Sequence, residues 1–207
     1  MNTDKEVLKK VYTAENHEDL MDAYKDWAKD YDNDTVGEFG YVAPKAAAES
    51  MLRYLDDRSA RILDAGCGTG LVAEVLKPLG FTNIDALDYS AEMLEEAEKK
   101  GVYRECMQVD MSKPMDIADN AYDALICVGT FTYGHVTPEA FEEVIRVVKP
   151  GGIVTFTVRE GAYDEHDYRP KMLQLECDGK WELQEMRDET YFEKENVSCK
   201  VCTYRVA

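Results

Sequence analysis

Residues 61 to 70 read Arg-Ile-Leu-Asp-Ala-Gly-Cys-Gly-Thr-Gly, a short apolar run that enters three glycines at alternate positions, Gly66, Gly68 and Gly70. A strand that ends in a glycine-rich turn and then feeds a helix aims bare amides and a helix N-terminus at one point. That arrangement suits a ligand needing close backbone contact. A dinucleotide loop wants its third glycine five positions after the first, and here that position is Leu71, so the spacing is G-x-G-x-G and the dinucleotide pattern fails. Asp88 lies twenty-two positions after Gly66 (88 minus 66), at the end of the next apolar run, where a carboxylate can accept both hydroxyls of a ribose.

Working outward from the loop, strands are predicted at Arg61 to Asp64, Asn83 to Leu87, Tyr103 to Gln108, Asp123 to Val128 and Ile153 to Arg159, separated by helical segments. Such alternation means parallel strands joined by right-handed crossovers. Ser90 stands where an N-cap belongs, ahead of a helix that turns Met93, Leu94 and Ala97 to one face and stops at Gly101. Thr137 and Pro138 open a helix bearing Phe141, Val144, Ile145 and Val148, ended by Pro150-Gly151-Gly152. A further helix is expected over Arg169 to Leu175, followed by strands at Trp181 to Phe192 and Val197 to Val206 that form a hairpin at one sheet edge. Upstream, Glu18 to Tyr31 reads as a helix whose Leu20, Tyr24, Trp27 and Tyr31 share one face. Another helix begins near Pro44 with Ala47, Met51 and Leu55 on one side.

The 207 residues suit one domain with a full hydrophobic core. With 42 acidic against 24 basic side chains, the formal charge of −18 repels phosphate backbones and anionic membrane surfaces, which argues against a nucleic acid or membrane partner. The first ten residues, MNTDKEVLKK, are charged, and no stretch has the length of a membrane span, so a soluble, cytoplasmic protein is expected. Of the six cysteines, only Cys199 and Cys202 are close, and three apart on a strand they point to opposite faces. That suits neither a disulfide nor a shared metal.

LDAGCGTG at 63 to 70, ALDYS followed by AEML, QVDM at 108 to 111 and VVKPGG at 147 to 152 stand in an order that resembles class I S-adenosylmethionine-dependent methyltransferases. More narrowly, YKDWAKDYD at 24 to 32 and GTFTYGHV at 129 to 136 resemble the small methyltransferase-like proteins related to the one encoded in the Williams-Beuren chromosomal region. The resemblance implies a doubly wound, mostly parallel seven-stranded α/β sheet with a C-terminal antiparallel hairpin. Residues 1–42 would form a helical lid and 43–207 the α/β core of a single domain.

The resemblance also implies S-adenosylmethionine as methyl donor and S-adenosylhomocysteine as product. Asp64 would then help hold the donor's ammonium, although a carboxylate capping the next helix is the plainer reading. Ala65, Gly66, Cys67 and Gly70 would let the backbone pack on the methionyl and ribose portions. Asp88 would take the ribose hydroxyls and Tyr89 the adenine face, with Asp110 at the adenine amino group, Met111 beside the ring, and Cys127 and Val128 closing the pocket. Trp27 and Tyr31 have two readings, as plain core or as a lid whose aromatic face suits a sulfonium cation.

Methyl transfer from a sulfonium is an in-line displacement, which needs alignment and exclusion of water rather than a metal. An oxygen or ammonium acceptor must first lose a proton. His135 is the candidate base and Tyr133 the next, against the alternative that His135 is a loop histidine bonded to backbone. Arg159 is a candidate for meeting an anionic acceptor, with Tyr163 and Tyr168 near it. A small-molecule acceptor is expected, with a protein acceptor as the alternative. A non-catalytic donor-binding module and a nicotinamide oxidoreductase are the competing classes. Gly68→Val is expected to clash at the turn.

Overall fold

The computed structural model describes residues 10–11, 17–132, 136–195 and 197–207. The apolar run before the glycines forms β1, Ile62–Ala65, with all four residues buried. It is flanked by β2 (Ile84–Asp88), β3 (Glu105–Gln108), β4 (Tyr122–Phe131), β5 (Val148–Arg159), β6 (Trp181–Phe192) and β7 (Val197–Val206). These strands make one sheet in the order β3-β2-β1-β4-β5-β7-β6. The first five are mutually parallel, and β7 runs antiparallel to both β5 and β6. From β1 the chain winds out through β2 and β3, then returns to place β4 on the other side of β1. The direction of winding therefore reverses between β1 and β4, which leaves a crevice at their C-terminal ends.

Side chains alternate across each strand, so one sheet supports two cores. On one face, Ile62, Ile84, Ile126 and Val201 pack with the helices α2 (Ala43–Leu52) and α3 (Leu71–Leu76) through Ala47, Met51, Val72 and Leu76. On the other, Leu63, Leu125, Val154 and Phe156 meet α5 (Ala140–Val147) and α7 (Tyr168–Cys177); α4 (Ala91–Lys99) and the short α6 (Glu160–Glu165) complete the core helices. Cys199 belongs to the first core and Cys202 to the second, as period-two alternation requires, and both are free thiols. The edge strand β6 carries Glu182, Glu185, Arg187, Asp188 and Glu189, whose charges discourage edge-to-edge pairing.

Ser90 does cap α4, its hydroxyl accepting from Met93 N–H at 3.2 Å. Four expectations are corrected. The helix α1 spans His17–Trp27 and ends before Tyr31; the chain then forms a π-helical coil over Asn33–Phe39, which closes at Gly40 with φ +68°. The α5 helix starts at Ala140, because Thr137 and Pro138 form the turn ahead of it. Val148 lies outside α5 and opens β5, paired with Tyr122, so the strand runs through Pro150-Gly151-Gly152 instead of starting after it. Leu55 is buried but lies past the end of α2.

Candidate functional site

The turn from β1 into α3 places Gly66, Gly68 and Gly70 at φ +70°, +54° and +92°, all in the left-handed region where a Cβ is costly. The amides of Gly66 and Cys67 donate to the Leu87 carbonyl at 2.8 and 3.0 Å, tying the loop to the end of β2. A Cβ at Gly66 would stand 2.0 Å from Thr130 Oγ1, and one at Gly70 would stand 3.0 Å from the Tyr103 ring. At Gly68 an added Cβ meets no atom within 4 Å. At the Cβ, then, Gly68→Val meets no neighbour, and what opposes a β-branched residue there is the left-handed φ of +54°. What the missing side chain leaves bare is an edge of the cleft.

That cleft opens to solvent above the glycine loop. The glycine loop contributes Gly66 and Gly68, β2 and the start of α4 contribute Leu87 to Ser90 and Met93, and the turn after β3 contributes Val109 to Met111. The end of β4 supplies Val128, Gly129 and Thr130. Over these stand Met21, Tyr24 and Tyr31 from the N-terminal segment, with Val136 from the far side. An adjoining recess lies between Tyr31, Tyr41, Cys67 and Val128.

Asp88 is held at the floor. Its two oxygens accept from Gly68 N–H at 2.8 Å and Ser90 N–H at 2.9 Å, and with the Tyr89 amide also bonded to it the carboxylate keeps part of its acceptor capacity for a ligand hydroxyl. Depth within the fold raises its carboxyl above the ordinary range, and the amides from Ser90 and Gly68 oppose that rise. Asp64 is fully buried behind the loop: Tyr103 donates to Oδ2 at 2.5 Å, while Oδ1 is buried with no partner. Burial pushes this carboxyl up to about 7 against the pull of the Tyr103 hydrogen bond. Asp110 lines the cleft. Burial raises its carboxyl, but Lys113, paired at 2.8 Å, and Ser112 outweigh it and leave the net shift downward. Tyr89 presents a ring that is 40% exposed, and Met111 lies buried beside it.

The structure brings Tyr31, Gly66, Asp88, Tyr89, Asp110 and Met111 to the cleft and Cys67 to the recess. It keeps Trp27, Asp64, Ala65, Gly70 and Cys127 off both linings. Ala65 and Cys127 point into the core on the opposite face of the sheet from Val128. Gly70 instead caps α3 and leaves room for Tyr103. Trp27 is buried, donates to Asp34 at 2.7 Å and packs edge-on against Tyr31 with centroids 4.7 Å apart, so it braces the ring that reaches the cleft. Tyr133 and His135 lie outside the described residues. Arg159 is not on the described lining of either cavity.

Sequence reasoning missed Met21, Met93, Val109 and Thr130 as lining. Met93 was legible only as a helix-face residue. Thr130 carries no local signal, because its place follows from β4 lying beside β1. It also missed what secures the N-terminal segment. Asp32 accepts from the Thr69 hydroxyl in the glycine loop and pairs with Lys100 at 2.6 Å, and Lys25 pairs with Glu92 at 3.4 Å.

Residues 63–156 match the methyltransferase domain family. The chain is 34% identical over 186 residues to human methyltransferase-like protein 27, covering 86% of this chain and 75% of that protein. It is 30% identical over 123 residues to a malonyl-[acyl-carrier protein] O-methyltransferase of Pectobacterium atrosepticum, where the match covers 58% of this chain and about half, 48%, of the relative. A SAM-dependent methyltransferase from Aquifex aeolicus superposes with a TM-score of 0.62 at 19% identity, over 88% of this chain and 98% of that one, and shares the fold.

A sheet of this order, with a glycine loop after β1 and a carboxylate at the end of β2, defines a Rossmann-like methyltransferase domain. The chain belongs to the class I S-adenosylmethionine-dependent methyltransferases, with S-adenosylmethionine as its cofactor. Within that class it is similar to methyltransferase-like protein 27 over most of its length. The residues present fit the donor: Asp88 has lone pairs at the cleft floor, the bare edge at Gly68 admits close approach, and Asp64 Oδ1 is a buried acceptor left unpaired. No helix among the described residues is long and apolar enough to cross a membrane.

Proposed function

We propose that this methyltransferase acts on a small-molecule acceptor, with the donor laid across the glycine loop and covered by residues 17–42. The observation that carries the reading is the cleft itself, where Asp88 and the bare Gly68 edge share a floor beneath Met21, Tyr24 and Tyr31. In it, Asp88 accepts the ribose hydroxyls, Tyr89 and Met111 flank the adenine, and Asp110 receives its amino group. Asp64, held from behind by Tyr103 and with Oδ1 unpaired, is the acceptor offered to the methionyl ammonium, whose positive charge would favour its ionised form. Cys67 forms the wall of the adjoining recess.

Bound there, the donor supplies an electrophilic methyl group on a sulfonium. The chain's own residues orient both partners and exclude water. Tyr31 stays a neutral phenol, because burial and then the neighbouring Tyr24, Tyr191, Asp88 and Asp32 raise its titration well above the ordinary value. Its ring faces the cavity as an apolar and weakly cation-attracting wall. His135 is the proposed proton acceptor for the attacking group, with Tyr133 second. His135→Ala then lowers turnover strongly while leaving donor affinity nearly unchanged; retained turnover returns His135 to a loop role.

Calorimetric titration with S-adenosylmethionine, S-adenosylhomocysteine and NAD in one buffer tests the donor site. Micromolar binding of the first two and none of NAD is expected. NAD binding without adenosylmethionine binding would overturn the assignment of the glycine loop.

A further inference from the structure

We infer that Tyr103 is a positioning residue of the donor site, acting through Asp64 so that binding of the methionyl ammonium releases a proton. This rests on the donor-site reading above and adds to it a dependence on pH. Tyr103 stands just ahead of β3, and its ring occupies the space that Gly70 leaves in the glycine loop, where a Cβ would come within 3.0 Å of the ring. From this place its hydroxyl donates to Asp64 Oδ2 at 2.5 Å, while Asp64 Oδ1 stays buried and unpaired. A buried acceptor left without a donor is costly, so a ligand that brings one gains there.

Asp64 pairs in register with Ile126, so its side chain leaves the sheet on the same face as those of Ile126 and Val128. Val128 lines the recess, which shares Tyr31, Gly66 and Gly68 with the cleft. A donor with its ribose on Asp88 and its methionyl end in the recess therefore carries its ammonium on the Asp64 side of the sheet. Burial raises the Asp64 carboxyl to about 7, so below neutral pH it holds its proton in the unliganded protein. The titratable groups around it among the described residues are acids: Asp88 at the end of β2, Cys67 in the loop, Cys106 on β3, Cys127 on β4 and Tyr103 itself. Lys100, just past α4, is engaged by Asp32 and Glu74.

An ammonium brought to Oδ1 supplies the positive charge that ionises Asp64. The carboxyl proton leaves to solvent, the ammonium keeps its own protons, and the Tyr103 hydroxyl goes on donating to Oδ2. Burial and the Asp64 charge hold the Tyr103 phenol well above its usual range, so it stays a donor throughout. Because its hydrogen bond lowers the Asp64 carboxyl, Tyr103 sets the pH at which the donor site becomes fully competent.

The test is calorimetry with two probes, S-adenosylhomocysteine and 5′-deoxy-5′-methylthioadenosine, which keeps the adenosine and the sulfur but lacks the ammonium and carboxylate. At pH 6.5, in two buffers of different ionisation enthalpy, S-adenosylhomocysteine is expected to release about half a proton or more and the truncated probe close to none. From pH 5.5 to pH 7.5 the affinity of the first should rise about tenfold or more and level off above about 7, while that of the second stays flat. Tyr103→Phe should move the levelling point to higher pH and leave the truncated probe's affinity unchanged. Equal pH dependence of the two probes would put the titrating group at the ribose floor, on Asp88, and overturns the inference, as does S-adenosylhomocysteine binding without proton release. The proton count on the unaltered protein decides this without any variant. A Tyr103→Phe profile that coincides with that of the unaltered protein removes Tyr103 from the role. Failure of S-adenosylhomocysteine to bind at any pH overturns the donor-site reading instead, so the two failures are distinguishable.

Discussion

At the scale of single residues, the cleft is made by what its side chains omit and by what they leave unpaired. Gly66 has no room for a Cβ beside Thr130, so Gly66→Ala combines a close contact with a left-handed φ. It is expected to destabilise the fold by about 1–3 kcal/mol, read as a lower thermal midpoint. Gly68 has open space beside its Cβ position, so a substitution there carries the strain of the left-handed φ without the close contact. Asp88→Ala removes the floor's acceptors and should weaken S-adenosylhomocysteine binding by about one to two orders of magnitude, at about 1.4 kcal/mol for each. Calorimetry that shows unchanged affinity removes Asp88 from the ribose site. Asp64 is raised to about 7 in the folded chain, so the folded state holds its proton more tightly than the unfolded state does. Its effect on stability is therefore unfavourable and sets in as pH rises from the ordinary carboxylate range through about 7. Asp64→Asn is expected to flatten this part of the stability curve between pH 5 and pH 8, measured by denaturant titration at each pH; an unchanged slope would show that Asp64 titrates normally.

At the scale of elements, the N-terminal segment is pinned to the core through charged and hydroxyl groups as well as packing. Asp32 reaches both Thr69 in the glycine loop and Lys100 just past α4, while α1 is tied to the start of α4 by Lys25 and Glu92. If this segment is the proposed lid, Asp32→Ala loses a partly exposed ion pair and a hydrogen bond, together about 1 kcal/mol. Dissociation of S-adenosylhomocysteine should then accelerate about fivefold in stopped-flow experiments. An unaltered off-rate would mean that the segment does not gate release. The α4 cap is an independent case, because Ser90 both accepts from Met93 N–H and stands next to the Asp88 floor. Its helix was legible from Ser90 and the apolar spacing alone, since a cap and a face are properties of adjacent turns.

At the scale of the whole molecule, 42 acidic against 24 basic residues leave a chain that repels itself when folded. Raising salt from low to moderate ionic strength screens that repulsion, so the thermal midpoint should rise with sodium chloride. A fall would show that the ion pairs across the sheet edge and lid outweigh the net charge.

The seven strands, the two-faced burial of β7 and the glycine loop were readable because strand alternation, glycine spacing and the acid at the end of β2 are local patterns, repeated within a few residues. Helix ends were read less well. At Val148 the parallel pairing with Tyr122 claims a residue that the local pattern assigned to α5, and after Trp27 the chain turns out of α1 although the aromatic spacing runs on to Tyr31. By itself, the sequence determined the class of fold and the side of it on which a ligand meets bare backbone. Only the tertiary structure brought Tyr103 to Asp64 across 39 positions, Asp32 to Thr69 across 37 and the Tyr41 hydroxyl to Tyr191 across 150. Those contacts depend on strand order and on how the N-terminal segment lies over the sheet, which no short-range periodicity encodes.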